Sequence, residues 1–364
     1  MKTIAFIVLC LLPVFYADAQ QRTSMDTLVR NASADFLNDT SHAGLSIGIL
    51  HKGTTYTYNF GTIKKGSKIL PTANTVYEIG SISKTFTGVL LARAVTAGKI
   101  KLEDDVRKYL DGSYPNLEYQ GQPIKIIHLV NHTSRLPRFL PDREDIFQHR
   151  MDSIPFLLAG LHKGYSKTQY LQDLHQVKLD TLPGYNYRYS NAAAQLLGFI
   201  LEKVYNTTFD ELLAREITRP LSMRQTGASL TTGVAQGYDA WGREMPYSPV
   251  LSKPAGGICS SVSDMLRYIQ FHLNEKDSIV RLSHTATQTY SDSAGIALFW
   301  RINTTSGGLR KYWHTGGTFG FSSYCVVYPQ INTGIILLSN EFDLNSQGGL
   351  INIADRIVDG LLKE

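Results

Sequence analysis

The sequence predicts an α+β fold in which a β-sheet is built from both ends of the chain and an α-helical lobe is inserted between them. Three observations predict it. Strand-like alternation is confined to the segments before about residue 98 and after about residue 256, and helical periodicity dominates Ile100 to Thr226. No repeat, low-complexity tract or Pro/Ser linker marks a boundary between modules. The expected organisation is one catalytic unit over residues 20–364, with an α/β lobe at about 20–98 and 227–364, a helical lobe at about 99–226, and a cleft between them. With 364 residues, 43% of them hydrophobic and 18% charged, the chain can bury a large core without disulfides or metals.

The first element is a targeting segment. Met1-Lys2-Thr3, an apolar run from Ile4 to Tyr16 and Ala17-Asp18-Ala19 form the basic start, apolar middle and A-x-A end of a secretory signal covering residues 1–19. The run is shorter than the roughly 20 apolar residues that span a bilayer. Leu9 precedes Cys10 where a lipoprotein signal carries a small residue. The mature chain, with no integral membrane span expected, is therefore predicted to be exported, periplasmic or secreted.

An amphipathic helix near Met25–Leu37 precedes a β-hairpin, Gly44–His51 and Thr54–Phe60, turning at Lys52-Gly53. From Ser81 to Ala97 apolar residues recur at helical spacing, and Gly98 closes the segment. Helices are predicted at Gln169–His175, Ala192–Tyr205 and Phe209–Ile217. A capped helix at Ser261–Leu273 follows, then strands at Ile296–Ile302, Lys311–His314, Phe321–Tyr328 and Gly334–Ser339, and a final helix at Leu350–Leu362.

The net charge of +5 survives loss of residues 1–19, is spread along the chain and includes no Lys/Arg-rich block, so no nucleic-acid partner is expected. Cys259 and Cys325 either pair in an oxidising compartment or remain as two buried thiols. His128 and His132 lack the glutamate of an H-E-x-x-H site, and no Cys/His group has zinc-ligand spacing. Neither metal nor other cofactor is predicted.

Three short segments carry the candidate chemistry. In Gly80-Ser81-Ile82-Ser83-Lys84 a serine opens a helix and a lysine follows three residues later, on the same face. Burial beside a helix N-terminus disfavours the charged amine, which makes Lys84 a usable base for Ser81, while the Ser81 N–H suits an oxyanion. In Tyr187-Arg188-Tyr189-Ser190-Asn191, Tyr189 is placed to share the serine proton and pass it to a leaving group, and Asn191 to hold a substrate carbonyl and the lysine. In Trp313-His314-Thr315-Gly316-Gly317, a strand followed by glycines allows a substrate backbone to approach. Gly317 offers a second oxyanion N–H, and His314 with Thr315 meet a carboxylate or carbonyl.

Together, S-x-x-K, Y-x-N and H-T-G in this order resemble the serine β-lactamase-like family, which groups class C β-lactamases, D-Ala-D-Ala carboxypeptidases, D-aminopeptidases and family VIII esterases. Lys99–Leu110, His128–Ser134, Arg219–Met223 and Ala255–Met265 fit the same resemblance, which spans nearly the whole mature chain. It implies an antiparallel sheet flanked by helices plus an all-α lobe (β-lactamase/transpeptidase-like), with Ser81 as nucleophile, Lys84 and Tyr189 as proton-transfer pair, Asn191 as substrate contact, and Ser81 and Gly317 as oxyanion donors. Two departures stand out. His314 replaces the lysine usual in class C β-lactamases, which weakens the β-lactamase reading, and Arg135 stands where glycine is common.

The function expected is hydrolysis of amide, β-lactam or ester bonds through an acyl-enzyme. A peptidoglycan stem peptide, a β-lactam, a D-amino-acid peptide and a small ester are all admissible substrates. A family VIII-type carboxylesterase and a penicillin-binding sensor without turnover are the alternatives.

Overall fold

The computed structural model describes residues 23–39, 42–228, 233–248, 253–343 and 345–363; the predicted signal segment lies outside them. Helix α1 covers residues 23–38, and β1 (Gly44–His51) and β2 (Thr54–Gly61) form the predicted hairpin. Lys52 and Gly53 turn it at φ 48° and 88°, the doubly positive turn whose twist matches that of the strands. Strand β3 (Val76–Glu78) leads into a 3₁₀ turn, Gly80–Ile82, and then helix α2 (Ser83–Thr96). The sequence predicts the helix from Ser81; the structure places Ser81 on the tighter turn before it.

The middle of the chain holds the small hairpin β4 (Glu118–Tyr119) and β5 (Gln122–Pro123). It is otherwise helical: α3 (Ile126–Val130), α4 (Ile154–His162), α5 (Lys167–Leu174), α6 (Asn191–Tyr205) and α7 (Phe209–Leu213), the last running into a π turn at Ala214–Thr218. Beyond come the short strands β6 (Tyr238–Asp239) and β7 (Cys259–Ser261), then α8 (Val262–Leu273), capped by the Ser261 hydroxyl, and α9 (Ser278–His284). The remaining strands are β8 (Gln288–Ser291), β9 (Ala294–Ile296), β10 (Arg301–Thr304), β11 (Arg310–Gly317), β12 (Ser322–Tyr328), β13 (Thr333–Ser339) and β14 (Glu341–Phe342). Helix α10 (Ser346–Leu361) closes the chain.

Eight strands form one sheet in the order β2-β1-β13-β12-β11-β10-β9-β8, with every neighbouring pair antiparallel. Its two halves come from opposite ends of the chain and join where β1 pairs β13, from Leu45 opposite Ser339 to His51 opposite Thr333. Strands β1, β12 and β13 are buried along their whole length. Helix α8 lies against one face: a β-carbon on Gly48 would stand 2.6 Å from Val262, and one on Gly334 2.3 Å from Ile269. The fold is thus α+β with an antiparallel sheet, as predicted.

The predicted strand Ile296–Ile302 is in fact two strands, β9 and β10. Between them Ala297, Leu298, Phe299 and Trp300 are fully buried, and Phe299 adopts φ 66°. The apolar run reads as strand, but burying all four side chains requires a reversal, with Phe299 N–H donating to Val130 O at 3.0 Å in the helical segment. Core residues of the sheet side and of segment 99–226 form one continuous cluster.

The described residues resolve into two compact units, one beginning at residue 42 and ending at 347, the other made of 23–39 with 348–363. In the terminal unit, Gly360 lies against Leu28, Gly349 against Phe36, and Arg356 pairs with Asp35 at 2.9 Å. Cys259 and Cys325 are both buried and unpaired, and burial pushes their thiols upward, that of Cys259 to about 12. Among the described residues no helix is long and apolar enough to cross a membrane.

Candidate active site

Ser81 owes its position to the turn before α2. Gly80 has φ 51°, and a β-carbon there would stand 2.6 Å from Gly317 N and 2.9 Å from Gly317 O, so only glycine permits this approach of the turn to β11. The Ser83 hydroxyl locks the turn, donating to Gly80 O at 2.7 Å and accepting from Ile258 N–H at 3.1 Å. Across it, Ser323 Oγ donates to Ile79 O at 2.8 Å.

Ser81 Oγ lies 2.5 Å from Tyr189 Oη and 3.1 Å from Lys84 Nζ. The amine also donates to Asn191 Oδ1 at 2.7 Å and, at close range, to Ala255 O. Both are acceptors only, the amide orientation of Asn191 being fixed by this network. A neutral amine spends its two N–H bonds on them and turns its lone pair to the serine hydroxyl. The neutral form is favoured because burial, and secondarily the positive charge of Arg138, push Lys84 well below the usual lysine range. Burial also raises the Tyr189 phenol, against the hydrogen bond shared with Ser81 and the charges of Arg301 and Arg138.

Segment 132–138 carries the loop that holds Tyr189. Gly184 N–H donates to Thr133 O, Arg188 N–H to His132 O, Ser190 Oγ to Pro137 O and Asn191 N–H to Arg138 O, all at 2.7–2.9 Å. Ser190 is also the N-cap of α6, its hydroxyl accepting from Ala193 N–H at 2.9 Å. Asn191 is therefore the first residue inside the helix rather than its cap, which leaves its side chain to Lys84. The ring of His132 packs 4.6 Å from that of Tyr189 and is held neutral chiefly by burial.

The H-T-G segment forms the last turn-free residues of β11, paired with β12 from His314 opposite Cys325 to Gly317 opposite Ser322. The sequence predicts that its glycines admit a substrate backbone; the structure gives them another task. A β-carbon on Gly316 would stand 2.0 Å from Ile79 O, and one on Gly317 2.6 Å from the Phe342 ring. They admit the protein's own chain. His314 is buried, donates Nδ1–H to Thr315 O at 2.6 Å, and is pushed down to about 3, first by burial and also by the charge of Arg301. With Nδ1–H given to Thr315 O, the neutral ring leaves Nε2 as an acceptor, and Thr315 and Arg301 line the cavity with it.

Ser81, Tyr189, Asn191, His314, Thr315 and Gly317 all line one cavity of about 660 Å³. Gly316, behind it, is buried. A family model described as Beta-lactamase matches residues 25–359. The chain belongs to the β-lactamase family. It is 26% identical to a β-lactamase of Pseudomonas fluorescens over 360 residues, covering 88% of this chain and 94% of that one. It is 28% identical to the protein flp of Staphylococcus aureus over 324 residues, 84% of this chain, and spans only 60% of that protein's length. Among solved structures, a β-lactamase/D-alanine carboxypeptidase from Yersinia pestis superposes with a TM-score of 0.78 at 22% identity, covering 93% of this chain and 99% of that one. A class C β-lactamase from Rhodobacter sphaeroides superposes at 0.76 and 21%, covering 92% and 99%. The fold is that of the family's serine hydrolases.

Four contributors to this β-lactamase-family site carry no role in the sequence reading. The Ala255 carbonyl, Arg138, Arg301 and the Ser83 hydroxyl act through backbone position, charge at a distance or a hydrogen bond to a main-chain group, and no short motif advertises any of these. Arg135, the departure from glycine, has φ 65°, which explains the family's preference; its guanidinium pairs with both oxygens of Asp180 at 2.9 and 2.7 Å. Among the described residues, no group of three or more His, Cys, Asp or Glu side chains is arranged to hold a metal ion.

Proposed function

We propose that the protein is an exported serine hydrolase that cleaves an amide or ester through an acyl-enzyme, most nearly in the manner of a D-Ala-D-Ala carboxypeptidase. The observation that carries this is the convergence of Ser81, Lys84 and Tyr189 with two acceptor-only carbonyl oxygens on the lysine. Lys84 takes the Ser81 proton as Oγ attacks the carbonyl carbon, and the oxyanion settles between the N–H groups of Ser81 and Gly317. Tyr189 gives its proton to the leaving group and is reprotonated from Lys84. Water then attacks the acyl-enzyme along the reverse proton path.

A cation available to a substrate carboxylate beside Thr315 is Arg301, whereas His314 gives its Nδ1–H to Thr315 O. Its guanidinium is held against the Tyr187 hydroxyl at 3.2 Å and over the Trp313 ring, and it lines the cavity beside Thr315. A C-terminal D-amino acid presents such a carboxylate on its leaving group, and the carboxypeptidase named above offers the analogy. Export rests on the signal-like residues 1–19.

Ser81→Ala should abolish covalent labelling by penicillin and by a fluorophosphonate while circular dichroism stays unchanged; persistent labelling refutes the assignment. Tyr189→Phe should slow acylation by about 10²–10⁴-fold. Turnover of a D-Ala-D-Ala peptide, nitrocefin and a p-nitrophenyl ester distinguishes the classes, and turnover of the ester alone replaces the carboxypeptidase reading with a carboxylesterase one.

A further inference from the structure

Helix α4 reads Ile-Pro-Phe-Leu-Leu-Ala-Gly-Leu-His, yet none of its side chains is buried. A helix apolar on every face is ordinarily found inside a protein. Here Ile154, Pro155 and Leu158 share one face and line the cavity that contains Ser81, joined there by Phe139, Phe147 and Met151. Phe147 and Met151 are 38% and 56% exposed. Exposed apolar surface of this kind marks a place where something apolar binds. Because the same cavity holds Ser81, Tyr189 and Asn191, the occupant is continuous with the bond under attack.

The direction of the substrate follows from the polar end of the cavity. Arg301 and Thr315, on the paired strands β10 and β11, line it there, and in the acyl-transfer reading they take the leaving-group side. The acyl side is then the apolar wall, where Arg138 lines the cavity with its guanidinium over Phe139 and Phe147 at 5.7 and 5.2 Å.

We propose that α4 and residues 139–151 form an acyl-group subsite that selects an apolar chain or ring, so that the preferred substrate has an apolar acyl part and a polar leaving group. This rests on the acyl-transfer reading and specifies it. Each methylene brought into such a wall adds about 0.8 kcal/mol when fully buried, equivalent to about fourfold in kcat/KM. Leu158 supplies the selective surface. Leu157, one residue earlier and 39% exposed, does not line the cavity.

The test is a series of p-nitrophenyl esters, acetate, butyrate, hexanoate and octanoate, which share one leaving group. In the wild-type protein kcat/KM should rise by about two- to fourfold per methylene. Leu158→Asp should flatten the series and Leu157→Asp leave it unchanged. Binding without chemistry is measured by calorimetry on Ser81→Ala, where octanamide should bind with a negative heat-capacity change and acetamide should not. A flat wild-type series without octanamide binding overturns the subsite, even when a fluorophosphonate labels Ser81 and the acyl-transfer reading stands. Octanamide binding lost in Leu158→Asp upholds the subsite, and absence of labelling in the same protein overturns the acyl-transfer reading alone.

Discussion

Asn191 Oδ1 accepts a hydrogen bond of 2.7 Å from Lys84 Nζ across a separation of 107 residues. A neutral acceptor at this point stabilises the amine without drawing a proton to it. Asn191→Asp, nearly the same shape, places a carboxylate there and raises the lysine pKa. The base is then protonated at neutral pH, so the acid limb of the kcat/KM profile should move to higher pH, with activity at pH 7 down by tenfold or more and recovering as pH rises. An unmoved limb would mean that Lys84 is not the titrating base.

In the proposed reading Arg301, rather than His314, meets the charge of a substrate carboxylate at the leaving-group end. Removing the guanidinium with Arg301→Ala should cost an anionic substrate about 10- to 100-fold in kcat/KM, the range of a hydrogen bond to a charged group, while a neutral ester changes little. His314→Lys restores an ammonium and should shift preference back toward carboxylate-bearing β-lactams. Equal effects of Arg301→Ala on both substrates would exclude a carboxylate contact.

Gly316 faces a main-chain oxygen, that of Ile79, which cannot swing aside as a side chain can. Gly316→Ala should therefore destabilise the protein by about 2–3 kcal/mol, as overpacking does, and displace Ser81. Thermal unfolding and fluorophosphonate labelling report the two effects; a variant of wild-type stability would show that the turn yields more easily than the structure implies.

Arg135 sits in the left-handed region at φ 65°, where an L-residue is strained by about 1–2 kcal/mol. Arg135→Gly and Arg135→Ala both lose the Asp180 pair, but only glycine relieves the backbone. Denaturant titration should find the alanine variant less stable than the glycine variant by about 1 kcal/mol. Equal stabilities would remove backbone strain as the reason for glycine here.

Much of this was legible in the sequence because it is written in short range. Ser81 and Lys84 share a face by helical spacing, Ser261 caps α8 as its place before an apolar helix suggests, and Lys52-Gly53 is a turn in any context. What was hidden depends on long-range closure. Residues 297–300 have strand-like composition and become a reversal only because Val130 and the core receive them. The side chains of Gly316 and Gly317 would point into Ile79 and Phe342, a fact invisible until β11 meets the turn before α2. Arg138 acts on Lys84 through field rather than contact, and field has no motif.

The clasp between Ser323 and Ile79 ties the nucleophile to the assembly order of the polypeptide. The serine, its lysine and its tyrosine all precede residue 190, yet the turn that aims them is fastened by a hydroxyl 244 residues downstream. A chain without its C-terminal strands holds the serine, the lysine and the tyrosine but not the clasp that fixes the turn they depend on.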